Sequence, residues 1–293
     1  PKADLDKVQR AYEFAKKAHE GQKRATGDDY ISHCLGTAQN LADLELTTPI
    51  VIAGLLHDVP EDTDYTLADV KKEFGEEVAS IVKGITKLSN IKYRGMERYI
   101  ENLRKMFVAM AEDIRVVLVK IADRLHNLQT LYALPANKQK RIALESLEIY
   151  APIANRLGIG ELQGKLEDTA FKYAYPEEFT WVEKLVKQRY PIKQKTLNGM
   201  IRKVKEALKK EDIAYIDVYG RNKHYYSLYR KLLKFNRDIN HIYDLVAMRI
   251  IVKNVADCYA VLGIVHSLWK PVKGRIKDYI AQPKPNGYQS LHT

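Results

Sequence analysis

Two histidines and two aspartates form the first candidate site. They are His33, the adjacent pair His57 and Asp58, and Asp123. A mixed nitrogen and oxygen set suits Mn²⁺, Fe²⁺ or Zn²⁺ better than Ca²⁺, and packed helices often build metal sites from inward-facing side chains. These residues therefore predict a metal site, because each lies in or beside a segment that reads as a helix. Each also has a purely structural alternative. His57 and Asp58 could be a polar pair at a helix end, and His33 could be a buried histidine with a hydrogen-bond partner. Asp123 could form an ion pair with Arg124.

Two further acids follow the His-Asp pair, in the stretch GLLHDVPEDTD. Pro60 disfavours helical backbone at Val59, so we expect the preceding helix to end at Asp58. Glu61 and Asp62 would then lie in the turn beyond it, close to the metal without ligating it. That is a suitable place for residues that activate or orient a water molecule.

A second candidate site lies in GRNKHYYSLYRKL, residues 220–232. Arg221 and Lys223 alternate, so they share a face if a strand continues through them. Ser227 and Lys231 share a face if a helix follows. Three cations and a hydroxyl could bind a triphosphate; the alternative is a solvated basic junction.

Other residues extend this second set. Asp244 opens the apolar stretch DLVAMRIIV, and a carboxylate at a strand end can hold Mg²⁺ against phosphates. Tyr288, beside Gly287, could stack on a base or simply pack. The basic tail supplies four more candidates, which are Lys277, Lys284, Asn286 and His292.

The elements that must position these residues change in character along the chain. Helical periodicity dominates up to about residue 160, an aromatic-rich helical connector follows, and strand patterns such as IAYIDVYG then alternate with helices. We expect an α+β multidomain chain with domains at residues 1–160, 161–194 and 195–293. The 293 residues contain no long apolar run, so we expect no membrane contact, and a charge of +11 favours polyanionic partners. The two cysteines, Cys34 and Cys258, fit a cytoplasmic protein.

The stretches LLHDVPEDT, KIADRLHNL and EIYAPIANRLGI give the first half a specific resemblance. With the order of the His and Asp residues, they resemble the HD-domain hydrolase of RelA/SpoT-type bifunctional (p)ppGpp synthetase/hydrolases. The resemblance implies an all-α HD bundle whose four candidate ligands hold Mn²⁺ and which removes the 3′ pyrophosphate of ppGpp with help from Glu61 and Asp62. It also implies nucleotide contacts from Arg24, Tyr30, Asn127 and Thr130. The sequence departs from the family pattern at Ala25, Pro60 and Gln129.

The second half is similar to the synthetase domain of the same family, along an almost continuous run from RNKHYYSLYRK to NGYQSLHT. This implies a nucleotidyltransferase-like mixed α/β fold in which Arg221, Lys223, Ser227 and Lys231 bind ATP phosphates. Asp244 would bind Mg²⁺, and Tyr288 would stack on the guanine of GDP or GTP with His292 nearby. The family's second synthetase carboxylate and its ribosome-sensing C-terminal domains lie beyond Thr293. We therefore expect ppGpp hydrolysis with little synthesis, and no ribosome or tRNA contact.

The residues alone are also consistent with two other functions. The chain could be an HD phosphohydrolase of another nucleotide, or a guanine-nucleotide-binding regulator with little turnover. A metal requirement separates the enzyme from the regulator, because a pure binding module has no need of four clustered ligands. The sequence does not predict an oligomeric state.

Overall fold

The computed structural model describes residues 4–89, 96–239, 242 and 245–293, and the chain divides into two units, residues 1–150 and 151–293. The named elements in the described part of the first unit are all helical, with one isolated β-bridge between Lys23 and Asp29, and the second unit combines helices with short strands. This confirms the predicted fold class. None of the described helices is long and apolar enough to cross a membrane.

The described part of the first unit contains nine α-helices. They are α1 (Leu5–Ala18), α2 (Ile31–Ala42), α3 (Thr48–Leu56), α4 (Val59–Asp62), α5 (Leu67–Phe74), α6 (Glu76–Ser89), α7 (Met96–Glu112), α8 (Ile114–Gln129) and α9 (Ala136–Glu145). A 3₁₀ turn (Leu131–Ala133) follows α8, and a π-helical turn (Ser146–Tyr150) follows α9.

Helix α8 lies at the centre of this unit and packs against α2, α3, α6 and α7. Nine of its sixteen residues are buried, from Val116 to Leu128. Asp113 caps its first turn by accepting a hydrogen bond from the Arg115 amide. The same packing buries α3, which has Pro49 in its first turn. A polar residue on the inner face of α8 is therefore held firmly and shielded from water.

The turn after α3 differs from the sequence prediction. We expected a helix to reach Asp58, but α3 ends at Leu56, and a separate helical turn, α4, begins at Val59. Pro60 lies in the first turn of α4, where its missing N–H has no cost. Glu61 and Asp62 therefore lie on a helical turn rather than in an irregular one, and their backbone amides both donate to the Asp58 carbonyl.

The second unit contains five helices and four short strands among its described residues. The helices are α10 (Ala151–Arg156), α11 (Gly160–Ala174), α12 (Pro176–Lys210), α13 (Tyr225–Lys234) and α14 (Val255–Leu268). The strands are β1 (Asp217–Asn222), β2 (Val246–Ile251), β3 (Lys277–Asp278) and β4 (Leu291–His292). Helix α12 runs without interruption through the predicted boundary at residues 194 and 195, and the domain limits stay a prediction.

Two antiparallel pairs make up the strands of this unit. β1 pairs with β2, with Gly220 opposite Met248, and β3 pairs with β4, with Lys277 opposite His292. Phe171, Val182 and Leu228 centre one apolar cluster between α11, α12 and α13, and Val204 and Val218 belong to a second one. The first cluster fixes α13 on α11, which places the strand–helix junction of the second candidate site.

Candidate metal centre and basic nucleotide site

The structure brings the four predicted metal ligands together. His33 lies in the first turn of α2, His57 and Asp58 in the turn between α3 and α4, and Asp123 near the middle of α8. Among the described residues, His33, His57 and Asp58 form a group whose ligand atoms all lie within 4.8 Å of one another. The Asp123 Oδ1 atom is 3.4 Å from His33 Nε2 and 4.0 Å from His57 Nε2. Three separate helical segments therefore meet at one polar cluster inside the unit.

His57 shows that the cluster fits a cation. Its side chain is fully buried, and its Nδ1 donates to the Gly54 carbonyl over 2.8 Å. Among the described residues, its Nε2 makes no hydrogen bond, although the Asp58 Oδ2 atom lies 3.1 Å away. With the Nδ1 hydrogen used in that bond, Nε2 faces two carboxylates. An unprotonated nitrogen in that position is costly, so Nε2 should hold either a proton, which makes His57 cationic, or a metal ion.

The charges of the cluster support the same reading. Burial opposes a positive charge on His57, but Asp58 and then Asp123 outweigh it and raise the pKa of the imidazole to about 9. Burial alone would raise the pKa of both carboxyls. His57 holds that of Asp58, and Lys120 that of Asp123, well below the usual range. The site thus stabilises added positive charge, which a divalent cation would supply.

Asp123 is held by Lys120 rather than by the neighbouring arginine. The Lys120 ammonium lies 3.0 Å from Asp123 Oδ2, whereas Arg124 bonds to Glu145 and to the Tyr150 hydroxyl. The alternative of an Asp123–Arg124 ion pair is therefore wrong for the contacts seen. The Lys120 cation offsets one of the two negative charges of the cluster.

Tyr30 joins the ligand Asp58 to the acid Asp62. Its hydroxyl lies 2.8 Å from Asp58 Oδ2 and 2.9 Å from Asp62 Oδ2, and it can donate its single proton to only one of them at a time. Burial and the two carboxylates raise the pKa of Tyr30, so the phenol stays protonated. The His19 ring stacks on the Tyr30 ring at 4.5 Å. Asp62 and Glu61 are exposed.

The residues predicted to contact the nucleotide differ in whether they are hydrogen-bonded to this cluster. Arg24 donates to Asn127 Oδ1 over 2.7 Å, and Asn127 in turn donates to Asp123. Thr130 lies at the end of α8, where its hydroxyl donates to the His126 carbonyl. Arg24, Tyr30 and Asn127 are thus linked to the ligands, whereas the contacts seen for Thr130 are with its own helix.

Sequence reasoning missed His126 and Lys120. Both lie one turn from Asp123 on α8, and His126 Nδ1 is 2.9 Å from His33 Nδ1. Burial and then the neighbouring His33 lower the pKa of His126 to about 4. The spacing D-x-x-H was the available signal, since residues three apart on a helix share a face.

The second candidate site lies at the junction of β1 and α13. Arg221 lies within β1 opposite Ala247, and Lys223 lies just beyond β1, where its amide still donates to the Leu245 carbonyl over 3.2 Å. Ser227 and Lys231 lie one turn apart on α13. The strand–helix order is as predicted. Asp244, the predicted Mg²⁺ ligand, lies outside the described residues.

Asp168 holds this junction, and sequence reasoning did not single it out. From α11, its Oδ2 accepts from His224 Nδ1 over 2.8 Å, and its Oδ1 accepts from the Tyr226 amide over 3.0 Å. The second bond caps the first turn of α13, whose own N-cap residue, His224, makes no side-chain cap. No local pattern marks this residue, because its partners lie more than fifty positions away.

The tail residues form a basic and aromatic group. The Lys284 ammonium lies 4.7 Å from the Tyr279 ring centre and 4.8 Å from that of Tyr288, and the Tyr288 hydroxyl is 3.0 Å from His292 Nε2. Burial, then Lys284 and Lys277, lower the pKa of His292, with smaller effects from Arg249 and Arg221. Asn286 connects this group to Asn155, since its Oδ1 accepts from the Tyr288 amide over 3.3 Å and its side-chain amide donates to the Asn155 carbonyl over 2.8 Å.

Comparison with known families agrees with both halves. Residues 11–160 match the family described as HD domain, and residues 220–293 match the region found in RelA/SpoT proteins. The first match covers just over half of the chain. The chain therefore belongs to the HD-domain family. It also carries the region found in RelA/SpoT proteins.

Individual relatives align over almost the whole chain. A guanosine-3′,5′-bis(diphosphate) 3′-pyrophosphohydrolase of Aquifex aeolicus is 48% identical over 98% of this chain and 41% of its own length. A GTP pyrophosphokinase of Streptomyces coelicolor is 47% identical over 99% of this chain and 34% of its own length. A solved metazoan orthologue of SpoT aligns with 22% identity and a TM-score of 0.44, over 57% of this chain and 93% of that one. The chain spans about two fifths or less of the length of these two curated relatives.

Proposed function

We propose that the first unit is a Mn²⁺-dependent ppGpp 3′-pyrophosphohydrolase, which converts ppGpp and water to GDP and pyrophosphate. The observation that carries this proposal is the buried Nε2 of His57, which faces the carboxylates of Asp58 and Asp123 and makes no hydrogen bond among the described residues. The similarity to a named 3′-pyrophosphohydrolase supports the choice of substrate.

In this proposal His33, His57, Asp58 and Asp123 hold the cation. Two imidazole nitrogens and two carboxylates suit Mn²⁺, which accepts both donor types. Bound there, the ion would act as a Lewis acid toward a phosphoryl oxygen and lower the pKa of water. The protein contributes the fixed orientation of the ligands, since Gly54 holds His57 and Lys120 holds Asp123.

Glu61 and Asp62 act on protons rather than on the metal. Both are exposed, and the hydroxyl of Tyr30 connects Asp62 to Asp58. A carboxylate there can take a proton from the attacking water. Tyr30 holds the Asp62 carboxylate in place, and the Gln22 amide holds the Asp62 backbone through a bond of 2.6 Å.

Arg24, Asn127 and Thr130 bind the guanosine nucleotide. The Arg24 guanidinium suits phosphate oxygens and lies 5.5 Å from the Tyr30 ring centre. Asn127 connects Arg24 to Asp123, so nucleotide binding and the metal ligand share one hydrogen-bond chain. Ala25, next to Arg24, departs from the family pattern and supplies no charge, so we expect Arg24 to matter more here.

The second unit is proposed to be a ppGpp synthetase domain, which transfers pyrophosphate from ATP to GDP or GTP. Arg221, Lys223, Ser227 and Lys231 would bind the ATP phosphates, with Mg²⁺ on Asp244. Tyr288 would stack on the acceptor guanine, and the other tail residues, Lys277, Lys284, Asn286 and His292, would line the same nucleotide site. The match to the RelA/SpoT region and the junction of β1 with α13 support this assignment.

The wider assignments belong to the same proposal. We place the hydrolase domain at residues 1–160, the connector at 161–194 and the synthetase domain from 195. A cytoplasmic location is favoured by the two free cysteines, Cys34 and Cys258.

The decisive test is a product assay with the whole chain. Labelled ppGpp is incubated with Mn²⁺, with Mg²⁺ or with a chelator, and the products are separated. We expect GDP and pyrophosphate only when a suitable metal is present. Turnover that persists in chelator would contradict the metal centre. Binding of ppGpp without turnover would favour the regulator, and cleavage of other nucleotides in preference to ppGpp would favour a different phosphohydrolase.

A further inference from the structure

The inference concerns His126, a histidine beside the metal centre that the proposed reaction does not use. It lies on α8, one turn after Asp123, and its ring faces His33 across the contact between α8 and α2. The two Nδ1 atoms are 2.9 Å apart. Two nitrogen atoms at that distance share one hydrogen, so one ring donates and the other accepts.

The direction of this bond follows from the other side of the His33 ring. His33 Nε2 lies 3.4 Å from both Asp58 Oδ2 and Asp123 Oδ1, so it is the nitrogen that faces the cation position. A neutral imidazole that offers one nitrogen to a metal carries its hydrogen on the other. His33 Nδ1 is therefore the donor, and His126 Nδ1 is the acceptor.

His57 provides an internal comparison. Its Nδ1 donates to the Gly54 carbonyl, which leaves its Nε2 for the cation. In both histidines of the centre, Nδ1 thus donates its hydrogen to an acceptor. The acceptor is a backbone carbonyl for His57 and a side chain for His33. The carbonyl is supplied by the helix itself, whereas the side chain must be brought in by packing.

Gly36 makes that packing possible. A Cβ atom built at Gly36 would lie 2.0 Å from His126 Cδ2 and 2.3 Å from His126 Nε2. Gly36 is one turn from His33 on α2, so the ring of His126 occupies the space that a side chain at position 36 would take. Only glycine lets the ring lie close enough to reach His33.

We propose that His126 is a positioning residue of the metal centre. Its Nδ1 accepts the Nδ1 hydrogen of His33, which fixes the tautomer and the ring orientation and presents Nε2 of His33 to the cation. Gly36 is the second residue that this arrangement needs, because it leaves room for the His126 ring. The inference rests on the proposed metal centre, and the experiment is arranged so that the two can fail separately.

The test measures Mn²⁺ affinity of the whole chain by calorimetry, without substrate. His126→Ala removes the acceptor and should weaken Mn²⁺ binding by about 10- to 100-fold, the usual range for such partners. His126→Asn places Oδ1 where Nδ1 was, so it should restore affinity to within about threefold of the wild type. A merely structural role would not be rescued by a smaller amide.

Gly36→Ala tests the same hydrogen bond between His126 and His33 without removing a polar atom. The added methyl group should displace the His126 ring and weaken Mn²⁺ binding at least about tenfold. Gly84→Ala is the matched control, because a Cβ there would lie 2.4 Å from Val116 Cγ2 on the same helix α8, away from the ligands. It should lower the melting temperature comparably and leave Mn²⁺ affinity within about twofold, since displaced apolar packing costs stability rather than metal binding.

Each outcome decides one point. Wild-type chain that binds no Mn²⁺, or His33→Ala that binds it normally, would overturn the metal centre itself. Tight Mn²⁺ binding by the wild type together with unchanged binding by folded His126→Ala would overturn only the role of His126. His126→Asn as weak as His126→Ala, or Gly84→Ala as weak as Gly36→Ala, would do the same.

Discussion

The two candidate sites are built in opposite ways. In the first unit, His33, His57 and Asp123 are almost completely buried and lie within a few ångströms of one another. In the second unit, Arg221 and Lys231 are only half-buried and Lys284 is exposed, and they come from a strand, a helix and a loop. The first site is a small polar cluster within a core, and the second is a basic surface.

The difference matches the sizes of their proposed ligands. A bare cation gains from fixed donors that are shielded from water, so its ligands must be oriented before it binds. A triphosphate is long, flexible and hydrated, and a set of cations can bind it without enclosing it. Damage should therefore be severe and local at the first site, and graded at the second.

The largest effect expected is that of His57→Ala. The variant loses one of the four proposed ligands, so ppGpp hydrolysis should fall more than about 100-fold, because partners outside a ligand set already account for about 10- to 100-fold. ATP binding by the second unit should not change. Hydrolysis is followed by release of labelled pyrophosphate, with His266→Ala as a control in the other unit. Full activity of folded His57→Ala would remove this residue from the centre.

The double variant Glu61→Gln, Asp62→Asn separates proton transfer from metal binding. It should bind Mn²⁺ and ppGpp like the wild type but turn over about 100-fold more slowly, the usual scale for loss of acid–base help. Mn²⁺ affinity by calorimetry and single-turnover rates give the two numbers. Loss of Mn²⁺ binding would instead make these acids ligands. Thr63→Ala, at the next position, is the control for disturbance of α4.

Lys231→Ala tests the graded behaviour of the second site. One charge-assisted contact with phosphate contributes about 1.5–3 kcal/mol, so ATP affinity should fall roughly 10- to 100-fold while hydrolysis of ppGpp is unchanged. Lys234→Ala, on the last turn of the same helix, changes the same charge at an exposed position and should have little effect. Equal losses in the two variants would mean that only net charge matters and would refute a specific phosphate contact.

The sequence predicted the parts of each site that depend on residue type and on resemblance. His and Asp residues at the ends and inner faces of apolar helices indicated the metal set, and the alternation of Arg221 and Lys223 indicated a strand that the structure contains. It also predicted the division into a helical part and a mixed part. These features are local, or they are carried by motifs along the chain.

The features it did not predict depend on how distant elements cross. His126 becomes a partner of His33 only because Gly36 lets α2 and α8 approach closely. The bridge from Tyr30 to Asp62 depends on α4 starting at Val59, three residues after the unexpected end of α3 at Leu56. Neither contact can be predicted from spacing along one helix, because both the His126–His33 contact and the Tyr30–Asp62 contact are fixed by tertiary packing.

The smallest effect expected is that of Asp168→Ala, which removes the one carboxylate seen to hold both His224 and the first turn of α13. Losing a helix cap costs about 0.5–2 kcal/mol, so we expect the second unit to lose about 1 kcal/mol of stability. ATP affinity should fall only a few-fold, since Ser227 and Lys231 stay on α13.

The two tryptophans, Trp181 and Trp269, both lie in the second unit, so urea unfolding followed by their fluorescence reports on that unit. Asp168→Asn is the matched variant, because its amide oxygen can still accept the Tyr226 hydrogen while the charge beside His224 is lost. Its stability should therefore lie between those of the wild type and Asp168→Ala. Unchanged stability of Asp168→Ala would show that the junction needs no such support. A large fall in ATP affinity with little loss of stability would show that the second site is as strictly positioned as the first, which would remove the contrast between them.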